Sequence, residues 1–181
     1  IACLGRLHKV KGYDIMLKAM PHILKAHSNL KLFIAGMDEG ELDKLIDLSQ
    51  ELKIQDNIEF VGQLDSDNKN CFLKHAQCLI MPSHTENFGL VAAEALFQNT
   101  PVIASKHTPW EVLETKQAGF HVINTPQAIS QAVITILKDV ELYRNNTSRV
   151  VEQFSWSKIA KIYKSTSVSY THLRAHETFG Y

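Results

Sequence analysis

The sequence predicts an α/β fold with a parallel sheet covered by helices on both faces, and three observations predict it. Short apolar segments recur without polar alternation, as expected of strands buried on both sides. Amphipathic helical stretches separate them, which is the alternation of a parallel sheet wrapped in helices. The first three apolar segments end on Gly5, Gly36 and Gly62 and open onto polar loops. In such sheets ligands bind at the carboxyl ends of the strands.

Taken in order, "IACLG" (Ile1–Gly5) and "LKLFIAG" (Leu30–Gly36) read as strands, with a helical pattern from Tyr13 to His27 between them. Pro21 is expected to kink or restart that helix, because it lacks an amide donor and crowds the preceding turn. Glu41–Lys53 reads as a second helix and "NIEFVG" (Asn57–Gly62) as a third strand. Asp67–Ala76 is a short helix and "CLIMPS" (Cys78–Ser83) a fourth strand. Phe88–Phe97 is helical, "PVIAS" (Pro101–Ser105) is a fifth strand, and Gly119–Ile123 is a sixth. Helices fill Pro126–Asp139, Glu141–Phe154 and Ser157–Thr166.

The chain of 181 residues suits one domain with a full core, and 45% apolar with 21% charged residues is a globular composition. Lys+Arg and Asp+Glu both total 19, so charge gives no support to a nucleic-acid partner. No run is long enough to span a bilayer and no leader is visible. The opening "IACLGRL" lacks Met and reads as the middle of a buried strand, so the native chain is expected to begin upstream. Cys3, Cys71 and Cys78 lie at no metal spacing and are expected to be buried, reduced thiols.

The loops after the strands carry the candidate chemistry: "GRLHKVKG", "GMDEGE", "GQLDSDNK" and "SHTENFG". Arg6 and Lys11 flank the first loop. Such a pair suits a di-anion such as a pyrophosphate, Arg offering a planar fork and Lys a mobile charge; a solvated loop is the equal alternative. In "TENFGLVAAEALF", Gly89 permits close backbone approach and the following residues are strong helix formers. The amides at that helix start would favour an anion in the strand-end cleft. Glu94 can accept hydrogen bonds from a vicinal diol, and Glu86 from hydroxyls on the other side of a diphosphate. From these residues alone, a helix-capping Glu86 and a solvated Glu94 are the alternatives.

The segments "GRLHKVKG", "LFIAG", "IEFVGQL", "MPSHTENFGLVAAEAL", "TPVIAS" and "TPWEVLE" occur in that order, and together they resemble family GT4 glycosyltransferases. The resemblance runs from Ile1 to about Tyr163. It implies the C-terminal, donor-binding half of the GT-B fold, a Rossmann-like domain here covering residues 1–167. Glu86 and Glu94, with Phe88-Gly89 between them, match the family's Glu-x7-Glu signature, and "HTPWEVLE" is similar to bacterial enzymes of lipopolysaccharide, capsule or exopolysaccharide synthesis.

The resemblance implies catalytic roles for three residues. Arg6 and Lys11 would bind the donor diphosphate and stabilise the departing nucleotide, and Glu86 would bind donor-sugar hydroxyls. Backbone around Asn87, Phe88, Gly89 and Leu90 would meet sugar and phosphate, Glu94 the ribose, and Gly36, Val61, Gly62 and Gln63 the base. The implied reaction is retaining hexosyl transfer from a nucleotide-sugar to a glycan or lipid-linked acceptor, without metal or other cofactor, the nucleotide-sugar being a substrate. The implied setting is the cytoplasm, at the inner face of the membrane, with acceptor contacts and any peripheral membrane contact supplied by an N-terminal domain in cis. A nucleotide-sugar-binding module without turnover, and a GT-B-like sugar-nucleotide epimerase, are the alternatives.

Two departures from the family pattern stand out. Asn99-Thr100 replaces a usual Gly before "PVI", which puts that tight turn in question, and a Gly-rich turn is missing near "HTPWE", which leaves the contact of Glu111 open. "DSD" (Asp65–Asp67) mimics a metal-binding DxD, but it precedes a helix, and Asp67 is expected to be its N-cap. His8 and His84 read as solvated loop residues, and Trp110 and Trp156 as packing residues. Finally, "VSYTHLRAHET" (Val168–Thr178) resembles a translated transposase-type sequencing adapter, so 168–181 is expected to be a non-native tail. Without it each charge total falls by one, and the balance stands.

Overall fold

The computed structural model describes residues 1–152. Within them six strands form one sheet: β1 (Ala2–Leu4), β2 (Leu32–Ala35), β3 (Ile58–Gly62), β4 (Leu79–Met81), β5 (Val102–Ser105) and β6 (Gly119–Val122). All neighbouring pairs are parallel, in the order β3-β2-β1-β4-β5-β6. The helices are α1 (Tyr13–Ala26), α2 (Leu42–Glu51), α3 (Ser66–His75), α4 (Leu90–Phe97), α5 (Val112–Thr115), α6 (Pro126–Lys138) and α7 (Val140–Val151).

Burial explains why the strands show no polar alternation. Successive residues point to opposite faces, yet Leu79, Ile80 and Met81 in β4 and Val102, Ile103 and Ala104 in β5 are all buried. On one face Cys3, Ile34, Ile80 and Ile103 join a core with Met16, Leu17, Met20 and Ile23 of α1, Leu45 of α2, and Ile129, Val133 and Ile136 of α6. On the other, α4 packs on β4 and β5 through Ala92, Ala95 and Leu96, and α3 packs on α4.

α1 runs unbroken through Pro21. Ala19, Met20 and Ile23 around it are fully buried, so tertiary packing holds the helix where a lone backbone would bend. α3 begins one residue earlier than its pattern suggests, and its cap is Asp65 rather than Asp67: Asp65 Oδ1 accepts from the Asn68 amide at 2.9 Å. That bond, and the one from the Asn68 side chain, hold the Asp65 carboxyl below its usual range. α4 begins at Leu90, because Gly89 sits in the left-handed region (φ 72°, ψ 62°) and ends the preceding loop. The turn before β5 is kept: Asn99 takes φ 58°, a conformation that Asn tolerates, and accepts from Thr147 Oγ1 at 3.2 Å. The four-residue α5 is too short to leave a periodic signal.

Cys3 and Cys78 are buried, and burial pushes both thiols up, Cys78 to about 11. Cys71, by contrast, is exposed on α3, since that face of the helix looks outward. The predicted helix at Ser157–Thr166, Trp156 and the tail 168–181 lie outside the described residues. Among the described residues no helix is long and apolar enough to cross a membrane.

Candidate functional site

Strand order suggests where a site would lie. β1, β2 and β3 run outward to one side and β4, β5 and β6 to the other, so the order reverses between β1 and β4. Loops diverge at such a switch point and leave a crevice at the carboxyl ends. Here the loops after β1 and β4 are cross-linked: the His84 amide donates to the Val10 carbonyl at 2.8 Å, and Lys11 Nζ lies 2.5 Å from Glu86 Oε2. Lys11 ends a 3-10 turn (Lys9–Lys11) that His8 caps through Nδ1, accepting from the Val10 amide at 3.2 Å. Both partners of the Lys11–Glu86 pair are about one-fifth exposed, so water weakens their attraction only in part.

Arg6 does not join that pair. Its Nη1 lies 2.7 and 2.8 Å from the two oxygens of Glu39, in the loop after β2. A parallel bridge between Leu7 and Asp38 draws the two loops together. Asp38 Oδ1 accepts from the amides of Gly40, Glu41 and Leu42, which holds the start of α2 and keeps its carboxyl below the usual range. The strand ends are tied in the same way, the Gly36 amide donating to the Gly62 carbonyl at 2.8 Å. Gly62 and Gln63 are exposed at that end, and Val61 is half-buried.

The loop before α4 is built around Glu86. No side chain caps α4, because its N-cap is Gly89, so Glu86 is an ion-pair partner and not the capping residue. A Cβ on Gly89 would press on Met81 Sδ at 2.9 Å and Glu86 Cγ at 3.1 Å. Trp110, fully buried in the loop after β5, donates its indole N–H to the Phe88 carbonyl at 2.6 Å and stacks obliquely on the Phe88 ring at 5.3 Å. Asn87, Phe88 and Leu90 remain exposed around the helix start. Glu94, inside α4, is not merely solvated: its Oε1 lies 2.6 Å from Lys69 Nζ of α3. Among the described residues no group of three or more His, Cys, Asp or Glu is placed to hold a metal ion.

This geometry can be set beside known proteins. The family described as glycosyl transferases group 1 matches residues 1–153. The chain belongs to this family. An uncharacterised glycosyltransferase of Methanocaldococcus jannaschii is 35% identical over 167 residues, 89% of this chain and 42% of that protein. The chain thus spans about two fifths of that curated relative. The solved C-terminal domain of a group 1 family protein, LpcC of Francisella tularensis, superimposes with a TM-score of 0.73 at 24% identity, covering 86% of each chain. Anabaena HepE, solved in complex with UDP, gives 0.75 at 19% identity over 92% of this chain and 48% of its own. These structural likenesses establish the C-terminal GT-B fold.

In this group 1 domain, Glu39, Lys69 and Trp110 make contacts around the candidate site that no motif records. Glu39 and Lys69 lie in the strand-end stretches "GMDEGE" and "GQLDSDNK", but only the pairing of separate loops and helices shows which groups they meet. Trp110 reads correctly as a packing residue, but its hydrogen bond to the Phe88 carbonyl has no sequence signal. Glu111 is exposed at the start of α5, and its side chain makes no cap bond.

Proposed function

We propose that the chain is the donor-binding half of a retaining glycosyltransferase, moving a hexosyl group from a nucleotide-sugar to a glycan or glycolipid acceptor in cell-surface polysaccharide synthesis. The Lys11–Glu86 pair at the switch point, in a chain of this family, carries the reading. Lys11 and Arg6 bind the diphosphate, and their charge offsets what builds on the departing nucleotide. Glu86 takes donor-sugar hydroxyls, the amides of Asn87–Leu90 meet sugar and phosphate, Glu94 holds the ribose, and Gly36 with Val61–Gln63 faces the base. The bound UDP of Anabaena HepE supports a nucleoside diphosphate as ligand.

Exposed Met37, Phe88, Leu90 and Ile123 lie in loops or a helix start after β2, β4 and β6. An apolar rim of this kind suits an edge covered by another domain, which supports acceptor contacts from an N-terminal half in cis. The proposed setting is the cytoplasmic face of the membrane.

The test is the protein carrying both halves, assayed with a panel of nucleotide-sugars. Transfer or donor hydrolysis that falls at least ~10-fold in Glu86→Ala supports the enzyme. Binding without any reaction makes it a nucleotide-sugar-binding module instead.

Glu39 yields a second expectation. It competes with a diphosphate for Arg6, in a pair whose side chains are 60% and 25% exposed. Exposed pairs of this kind are worth about 0–1 kcal/mol. Glu39→Gln should therefore tighten nucleoside-diphosphate binding by about 2- to 5-fold in calorimetric titration. Weaker binding in that variant would mean that Glu39 presents Arg6 instead of restraining it.

A further inference from the structure

Glu94 has a partner that no motif supplies. Lys69 stands in the first turn of α3, and its ammonium reaches across to α4, 2.6 Å from Glu94 Oε1. The side chains are 30% and 34% exposed, so the pair contributes little to stability on its own. Its geometry, however, is held by bonds on either side of it. Thr100 Oγ1, buried before β5, donates to the Leu73 carbonyl of α3 at 2.6 Å, and Gln98 Nε2 approaches Asn70 Oδ1 at 3.5 Å. These contacts fix α3 against the end of α4, so Lys69 and Glu94 meet at a set separation.

A carboxylate offers two acceptor oxygens, and an ammonium has donors only. With Oε1 engaged by Lys69, rotation of the Glu94 carboxylate is restrained and Oε2 has a defined direction. A vicinal diol demands this, because its two hydroxyls must reach one carboxylate together. Lys69 also follows closely on the exposed Gly62–Gln63 end of β3, on the side proposed for the base.

We propose that Lys69 is a positioning residue of the donor site, orienting Glu94 for a ribose diol and so making the site select ribonucleotides over 2′-deoxyribonucleotides. The inference rests on the reading of Glu94 as the ribose carboxylate. The experiment titrates UDP, GDP and ADP and their 2′-deoxy counterparts into the protein carrying both halves, and then into Lys69→Met, Lys69→Arg and Glu94→Gln. The unmodified protein should prefer its best ribonucleotide by about 10-fold, the worth of a hydrogen bond to a charged group. Lys69→Met, which keeps an unbranched stem, should lose that preference by weakening the ribonucleotide and leaving the deoxynucleotide unchanged. Lys69→Arg should restore most of it. In transfer assays Lys69→Met should raise the donor KM and leave kcat within about 2-fold.

The proposal is overturned if Lys69→Met keeps the preference while Glu94→Gln loses it; the ribose role of Glu94 then survives alone. Equal weakening of both nucleotides by Lys69→Met also overturns it, making Lys69 a general cation for the phosphates. If Glu94→Gln keeps the preference, or no nucleotide binds at all, the reading of Glu94 falls and the proposal with it.

Discussion

In the protein carrying both halves, Lys11→Ala is expected to lower kcat for the proposed transfer by about 10²- to 10³-fold, the range found when one preorganised donor to a developing charge is removed. The ammonium stands 2.5 Å from Glu86 at the crevice between β1 and β4, where a departing diphosphate would gather negative charge. Its truncation removes that compensation and leaves a carboxylate only 19% exposed without its cation. The second effect acts in the same direction, because an unpaired anion beside a diphosphate repels it. Since the two residues form one ion pair, Lys11→Ala and Glu86→Ala should be strongly non-additive, with the double variant losing little more than the worse single one. Steady-state kinetics of the three variants measure this. A Lys11→Ala enzyme within about 3-fold of the unmodified kcat would remove Lys11 from the chemistry.

That Lys11 and Glu86 belong together was only half legible in the sequence. The parallel sheet showed in runs such as "CLIMPS", where both strand faces are buried and no polar residue interrupts. Chain order does not contain strand order, however. The contact between the first and fourth loops arises because β4 crosses back to lie beside β1, and nothing local in either loop records that crossing. Motif resemblance supplied the association in its place.

Other features escaped for equally physical reasons. Two aspartates two residues apart, Asp65 and Asp67, fit the same capping pattern, and only the backbone angle at Asp65 (φ −72°, ψ 176°) decides between them. Asn99 in place of glycine does not cost the turn, because Asn takes the left-handed region at small cost, and residue type alone does not show the conformation. The pairing of Lys69 has no sequence signal, because a lysine on a short polar helix normally faces water and its partner lies on another helix.

Gly12→Ala is expected to destabilise the fold by about 2 to 5 kcal/mol, the sum of a left-handed backbone penalty and an overpacking term. Gly12 (φ 65°, ψ 27°) ends the 3-10 turn and starts α1, its amide donating to the Lys9 carbonyl at 3.1 Å. A Cβ there would run into the Pro82 carbonyl oxygen, which already accepts from Asn124 Nδ2 at 2.8 Å. Backbone at the end of a buried strand yields less readily than a side chain. Gly40→Ala is the control: its φ of 91° is also positive, but an added Cβ would meet nothing within 4 Å. Urea unfolding should therefore show Gly12→Ala costing about 1 to 3 kcal/mol more than Gly40→Ala, the size of an overpacking term. Equal losses would mean that the Pro82 segment shifts freely. The same overlap should reach function, because Lys11 precedes Gly12 and Pro82 opens the loop that carries Glu86. Parting those two backbones lengthens the Lys11–Glu86 contact, so Gly12→Ala should lower kcat as well, and Gly40→Ala should not.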